Sequence, residues 1–142
     1  MRLGQVLAPG DAVCLQGELG AGKTTFVQGL AQGWGSLDDV SSPTFVLVNE
    51  YRRPDGARLF HMDAYRLESD SEAAELDIDR MVSEGALIVE WPERVKGVLP
   101  TDVLNIGLEY VAEEQRQLRF QACGARYDRM LDALQQMMFG VA

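Results

Sequence analysis

The sequence predicts an α/β domain built on a mixed sheet, and three observations predict it. A short apolar run leads directly into a glycine-rich turn. The residues after that turn switch to helical spacing. Beyond them, runs rich in β-branched and aromatic residues alternate with short helical ones. A chain of 142 residues implies a single domain spanning 1–142. With 46% apolar and 25% charged residues it has the composition of an ordinary folded protein.

The elements follow in order. Residues 12–16 (Ala-Val-Cys-Leu-Gln) form the first strand. From Thr24 onward, Phe26, Val27, Leu30, Ala31 and Trp34 fall on one face of a helix, and Gly33 and Gly35 mark its end. Residues 45–51 read as a strand, and the turn Arg53-Pro54-Asp55-Gly56 joins it to a second strand over 57–63 as a hairpin. Ser69 with Glu72 three residues on is a capping-box spacing, opening an acidic helix with Ala73, Ala74 and Leu76. Residues 86–91 are almost wholly apolar, as in a strand covered on both faces. A second hairpin is expected over 102–111 and 115–122. A closing helix follows, with Met130, Leu131, Leu134, Met137 and Met138 on one face.

The glycine-rich turn carries chemistry. Gly17-Glu18-Leu19-Gly20-Ala21-Gly22-Lys23-Thr24 fits G-x-x-x-x-G-K-[ST] without a mismatch. Glycines let backbone N–H groups converge on a β-phosphate, and the next helix adds its positive end. Lys23 supplies a point charge to the β/γ-phosphates, and the Thr24 hydroxyl can ligate Mg²⁺. The alternative is a chance glycine-rich turn. The strand before it and the amphipathic helix after it argue against that.

A nucleotide hydrolase also needs an acidic group at the end of a core strand, to hold the metal or orient water. Asp63 ends one strand and Glu90 nearly ends another. Parallel strands gather ligands at their carboxyl ends, where both could meet the phosphate loop. Glu90, beside Ile88, Val89 and Trp91, is costly to bury without a partner. His61 shares the face of Asp63 by the two-residue period, either as a structural histidine or as a group supporting the site. Trp91-Pro92 reads as packing plus a strand stop. The polar loop Ser41-Ser42-Pro43-Thr44 is an ordinary turn or a segment that senses the γ-phosphate.

Other features exclude whole classes. The net charge of −9 repels free nucleic acid, so any RNA role calls for a partner protein. Cys14 and Cys123 lack metal-site spacing, and no apolar run is long enough to span a membrane, which makes the cytoplasm the expected compartment. No guanine-reading Asn/Thr-Lys-x-Asp segment is present. No arginine-rich kinase lid is evident either, although Arg52, Arg53 and Arg66 are available.

Four ordered segments together resemble the bacterial TsaE (YjeE) family, the P-loop ATPase subunit of tRNA threonylcarbamoyladenosine biosynthesis. They are Gly17 to Phe26 through the phosphate loop; Ser42-Pro43-Thr44-Phe45 with Val48-Asn49-Glu50-Tyr51; His61-Met62-Asp63-Ala64-Tyr65-Arg66-Leu67; and Ile88-Val89-Glu90-Trp91-Pro92-Glu93-Arg94. The likeness covers most of residues 10–94. It implies a P-loop NTPase-like, three-layer domain with a mixed parallel and antiparallel sheet flanked by helices. It also implies ATP and Mg²⁺ as cofactors, and a role with the TsaB–TsaD heterodimer, through which alone tRNA would be met. TsaD would transfer the threonylcarbamoyl group, and ATP hydrolysis on this chain would reset the complex.

By the same likeness, Lys23, Asp63 and Glu90 are the catalytic residues. ATP would be held by Glu18, Leu19, Gly20, Ala21, Gly22, Lys23, Thr24, Thr25, Thr44 and Asp63, and the metal by Thr24, Glu90 and Asp63. The segment ahead of Gly10 is shorter than usual in the family, and residues 75–79 lack a glycine often found there. The sequence does not single out a partner surface; the acidic stretch 72–79 and the C-terminal helix are the two candidates. Two other readings stand beside this one: an assembly module in which ATP only orders the switch-like loop, and a small-molecule kinase.

Overall fold

The computed structural model of the chain describes residues 2–17, 22–40, 48–65, 67–112 and 115–139. Among the described residues, six strands form one sheet. In chain order they are β1 (Ala12–Gln16), β2 (Val48–Arg52), β3 (Arg58–Asp63), β4 (Ala86–Glu90), β5 (Val103–Ala112) and β6 (Gln115–Cys123). Across the sheet they run β2-β3-β4-β1-β5-β6. The four middle strands are parallel, and each edge strand is antiparallel to its neighbour. The mixed sheet and both hairpins are therefore as expected.

Among the described residues, five α-helices cover the sheet: α1 (Arg2–Val6), α2 (Lys23–Trp34), α3 (Asp70–Glu75), α4 (Ile78–Glu84) and α5 (Ala125–Phe139). Alternation along each strand sends neighbouring side chains to opposite faces. On one face Val13, Leu15, Leu59, Ile88, Leu104 and Ile106 share a core with Leu3 of α1, Phe26, Val27 and Leu30 of α2, and Met130 of α5. On the other, Phe60, Met62, Leu87 and Val89 meet Ala73 of α3 and Ile78 and Met81 of α4. All five residues of β4 are buried, which explains its nearly continuous apolar run. The layers are helices, sheet and helices.

Local chemistry sets the ends. Gly35 caps α2 at φ 102, a left-handed conformation that favours glycine, and its N–H bonds the Ala31 and Gln32 carbonyls. Gly33 lies inside the helix instead of ending it. In the first hairpin turn the Gly56 N–H donates to the Arg53 carbonyl at 2.9 Å. The Arg53 guanidinium holds the Asp55 carboxyl down at about 2. Burial, with the nearby Cys123 thiol, pushes Cys14 up to about 12, so it stays a neutral core thiol. Both cysteines are free.

Four local expectations need correction. Helix α1 was not foreseen, because five residues with a glycine among them carry little periodicity. It forms because Gly4 lets it cross α2 closely; a Cβ there would collide with the Leu30 carbonyl and the Trp34 amide. The capping box is half formed: Ser69 accepts from the Glu72 N–H, but the Glu72 carboxylate reaches the Glu68 N–H one residue earlier. The acidic segment is two short helices, since Asp77 turns left-handed at φ 55 between α3 and α4. Trp91 stands outside β4, at φ 59 and ψ 53. Among the described residues, no helix is long and apolar enough to cross a membrane.

Candidate nucleotide site

The order β3-β4-β1 places three chain segments at one end of the sheet. Strand β1 runs out at Gln16 toward the glycine-rich loop, and the chain re-enters a helix at Lys23. Asp63 and Glu90 are register partners at the ends of β3 and β4, and Glu90 is also the partner of Leu15 on β1. Partners in a parallel pair point the same way, toward the face that carries α2. Both predicted carboxylates thus lie at the carboxyl end of the sheet, on the face that carries that helix. Gly22 caps α2 from the left-handed region at φ 91, a conformation costly for any residue with a Cβ. Thr24 and Thr25 occupy the first turn. Glu18, Leu19, Gly20 and Ala21 lie outside the described residues, as do Ser41, Ser42, Pro43, Thr44 and Arg66.

Lys23 is 7% exposed, and its Nζ has no hydrogen-bond partner among the described residues. It sits over the indole of Trp91, 4.1 Å from the ring centre. A cation–π contact contributes about 2 kcal/mol when desolvated, less than a buried ammonium loses in hydration. A buried cation without an acceptor, at the start of a helix, is the arrangement an anionic oxygen would complete. The Trp91 ring also packs on Tyr65, with centroids 5.0 Å apart. The Tyr65 N–H donates to Asp63 Oδ1 at 3.0 Å, so that carboxylate also shapes the turn after β3.

Glu90 has the partner its burial demands. Its side chain is 7% exposed, and Oε2 lies 2.6 Å from Nε2 of His61. His61 is fully buried, and its Nδ1 is 3.0 Å from the Tyr51 hydroxyl. Among the described residues, no group of three or more His, Cys, Asp or Glu side chains could hold a metal unaided. The donors present still suit Mg²⁺, which usually takes one or two carboxylates and completes its shell with phosphate oxygens and water.

The structure brings Lys23, Asp63 and Glu90 to one end of the sheet and adds two residues the sequence reading passed over. Trp91, read as packing, lies under the lysine because the chain leaves β4 in a left-handed turn. Tyr51 had no assigned role. The hairpin turn fixes the register in which Asn49 opposes His61 and Tyr51 opposes Leu59. That register puts Tyr51 diagonal to His61 on the same face, a relation the sequence contained but periodicity alone did not reveal.

The chain matches the family model described as "Threonylcarbamoyl adenosine biosynthesis protein TsaE" over residues 1–118. The match extends beyond both ends of the 10–94 span carried by the four motifs. A Bacillus subtilis protein named tRNA threonylcarbamoyladenosine biosynthesis protein TsaE is 41% identical over 127 residues, covering 89% of this chain and 78% of the relative. A Streptomyces coelicolor protein of the same name is 39% identical over 132 residues, 89% of each chain. Among solved structures, Bacillus subtilis YdiB superposes with a TM-score of 0.77 at 32% identity, covering 95% of this chain and 83% of that one.

Proposed function

The chain belongs to the TsaE family of threonylcarbamoyladenosine biosynthesis proteins, and from that premise we propose that it is a Mg²⁺-dependent P-loop ATPase acting with a TsaB–TsaD pair. The observation that carries this reading is the buried ammonium of Lys23 at the start of α2, without a hydrogen-bond partner among the described residues and over Trp91, the residue after Glu90, with Asp63 paired to Glu90 at the strand ends. In this reading residues 1–142 act as one ATPase domain in the cytoplasm, and tRNA is met only through the partners. The net charge of −9 favours a basic protein surface over bare tRNA.

Each residue has a task. Backbone N–H groups of residues 18–25 and the end of α2 cradle the phosphates, while Lys23 leaves the Trp91 ring to meet the β/γ-oxygens. Thr24 and a carboxylate from Glu90 or Asp63 would hold Mg²⁺, which when bound polarises the phosphate oxygens. The other carboxylate orients the attacking water. Thr44 would meet the γ-phosphate.

Little ATP turnover is expected from the pure chain, with clear stimulation when the TsaB–TsaD pair is added. Equal turnover in both conditions would break the partner model and favour a site complete without it.

A further inference from the structure

We propose that Tyr51 and His61 are positioning residues that fix the orientation of the Glu90 carboxylate for its work on the phosphate side. The proposal rests on the reading of Glu90 as a metal-holding or water-orienting group. It extends that reading to two buried residues, with His61 fully enclosed between Tyr51 and Glu90.

The three groups form a continuous buried chain across adjoining strands. Tyr51 on β2 lies 3.0 Å from Nδ1 of His61 on β3, and Nε2 lies 2.6 Å from Oε2 of Glu90 on β4. With a proton on Nε2, the imidazole donates to the carboxylate and accepts the tyrosine hydroxyl on Nδ1. Every polar atom along this path is then paired, as burial requires. The contact to His61 is made through Oε2, so the imidazole holds the carboxylate by that one oxygen. A histidine used only for packing would need neither contact, and an apolar residue would fill its place at lower cost. Groups behind a ligating carboxylate hold its geometry in this manner, and losing one typically costs roughly 10–100-fold in affinity or activity.

The chain contains one histidine, so its ring signals can be assigned without ambiguity. In ¹⁵N-labelled protein without nucleotide, the expected signature is a proton on Nε2, protected from exchange, whose resonance moves in Glu90→Gln. An Nε2 without a proton would contradict the proposal. Kinetics supply the second arm, measured with the partner pair present. Tyr51→Phe and His61→Leu should lower kcat, the latter by roughly 10–100-fold, with KM for ATP unchanged. His61→Gln, which restores an N–H donor, should recover part of the loss. Neither Tyr51→Phe nor His61→Leu should add to the loss in a Glu90→Gln background. Where a His61 variant does not fold, Tyr51→Phe decides, since it removes one oxygen and keeps the ring. If Glu90→Gln turns over normally, the reading of Glu90 fails. If Glu90→Gln is inactive while Tyr51→Phe and His61→Leu keep full kcat, Glu90 stands and the positioning role is refuted.

Discussion

Lys23→Ala is expected to weaken ATP binding about 100-fold, roughly 3 kcal/mol, with little change in the stability of the nucleotide-free protein. The two halves of this expectation have one cause. The Lys23 ammonium is buried and lacks a hydrogen-bond acceptor among the described residues, so the free protein holds it at a cost that the Trp91 ring only partly offsets. A phosphate oxygen would replace that contact with a charge-assisted hydrogen bond. Removing the ammonium therefore relieves the free state while depriving the bound one. Calorimetric titration with MgATP, beside a thermal melt, checks both. A normal affinity would remove phosphate binding from Lys23, and a collapse in melting temperature would recast it as a structural residue.

Glu90→Gln is the second large effect. ATP turnover in the presence of the partner pair should fall by about 10²–10⁴-fold while ATP affinity stays within a few-fold. Glutamine keeps the shape and one acceptor oxygen, so the contact to His61 can persist and the β4 end should stay folded. What it loses is the charge that a metal or an attacking water needs. Single-turnover measurements with saturating ATP separate the two quantities. A parallel loss of binding and turnover would move Glu90 into the binding machinery alone.

How far the fold was legible depended on the kind of signal each element carries. Strand β4 and helix α2 were evident because one is apolar on both faces and the other repeats its apolar residues at helical spacing. The hairpin of β2 and β3 followed from its turn residues. Helix α1 left no such trace, since what stabilises it is the close crossing at Gly4, a tertiary contact. The break at Asp77 was hidden because non-glycine residues rarely adopt positive φ, and nothing in the local composition forces it.

The candidate site divides along the same line. Lys23, Thr24, Asp63 and Glu90 were found from a contiguous motif and from strand ends, which are features of the chain itself. Trp91 and Tyr51 were not, because their places depend on a left-handed turn and on a cross-strand diagonal. The burial argument for Glu90 anticipated that it needs a partner. The identity of that partner came from the register that sets His61 one strand away.

In the proposed cycle, hydrolysis rather than ATP binding alone serves repeated rounds of modification. The most direct test is threonylcarbamoyladenosine formed per complex by the chain with the TsaB–TsaD pair, comparing ATP with a non-hydrolysable analogue supplied to this chain's site. Repeated rounds are expected with ATP and no more than about one round with the analogue. Sustained rounds with the analogue would contradict that cycle and leave the chain as an ATP-dependent assembly module.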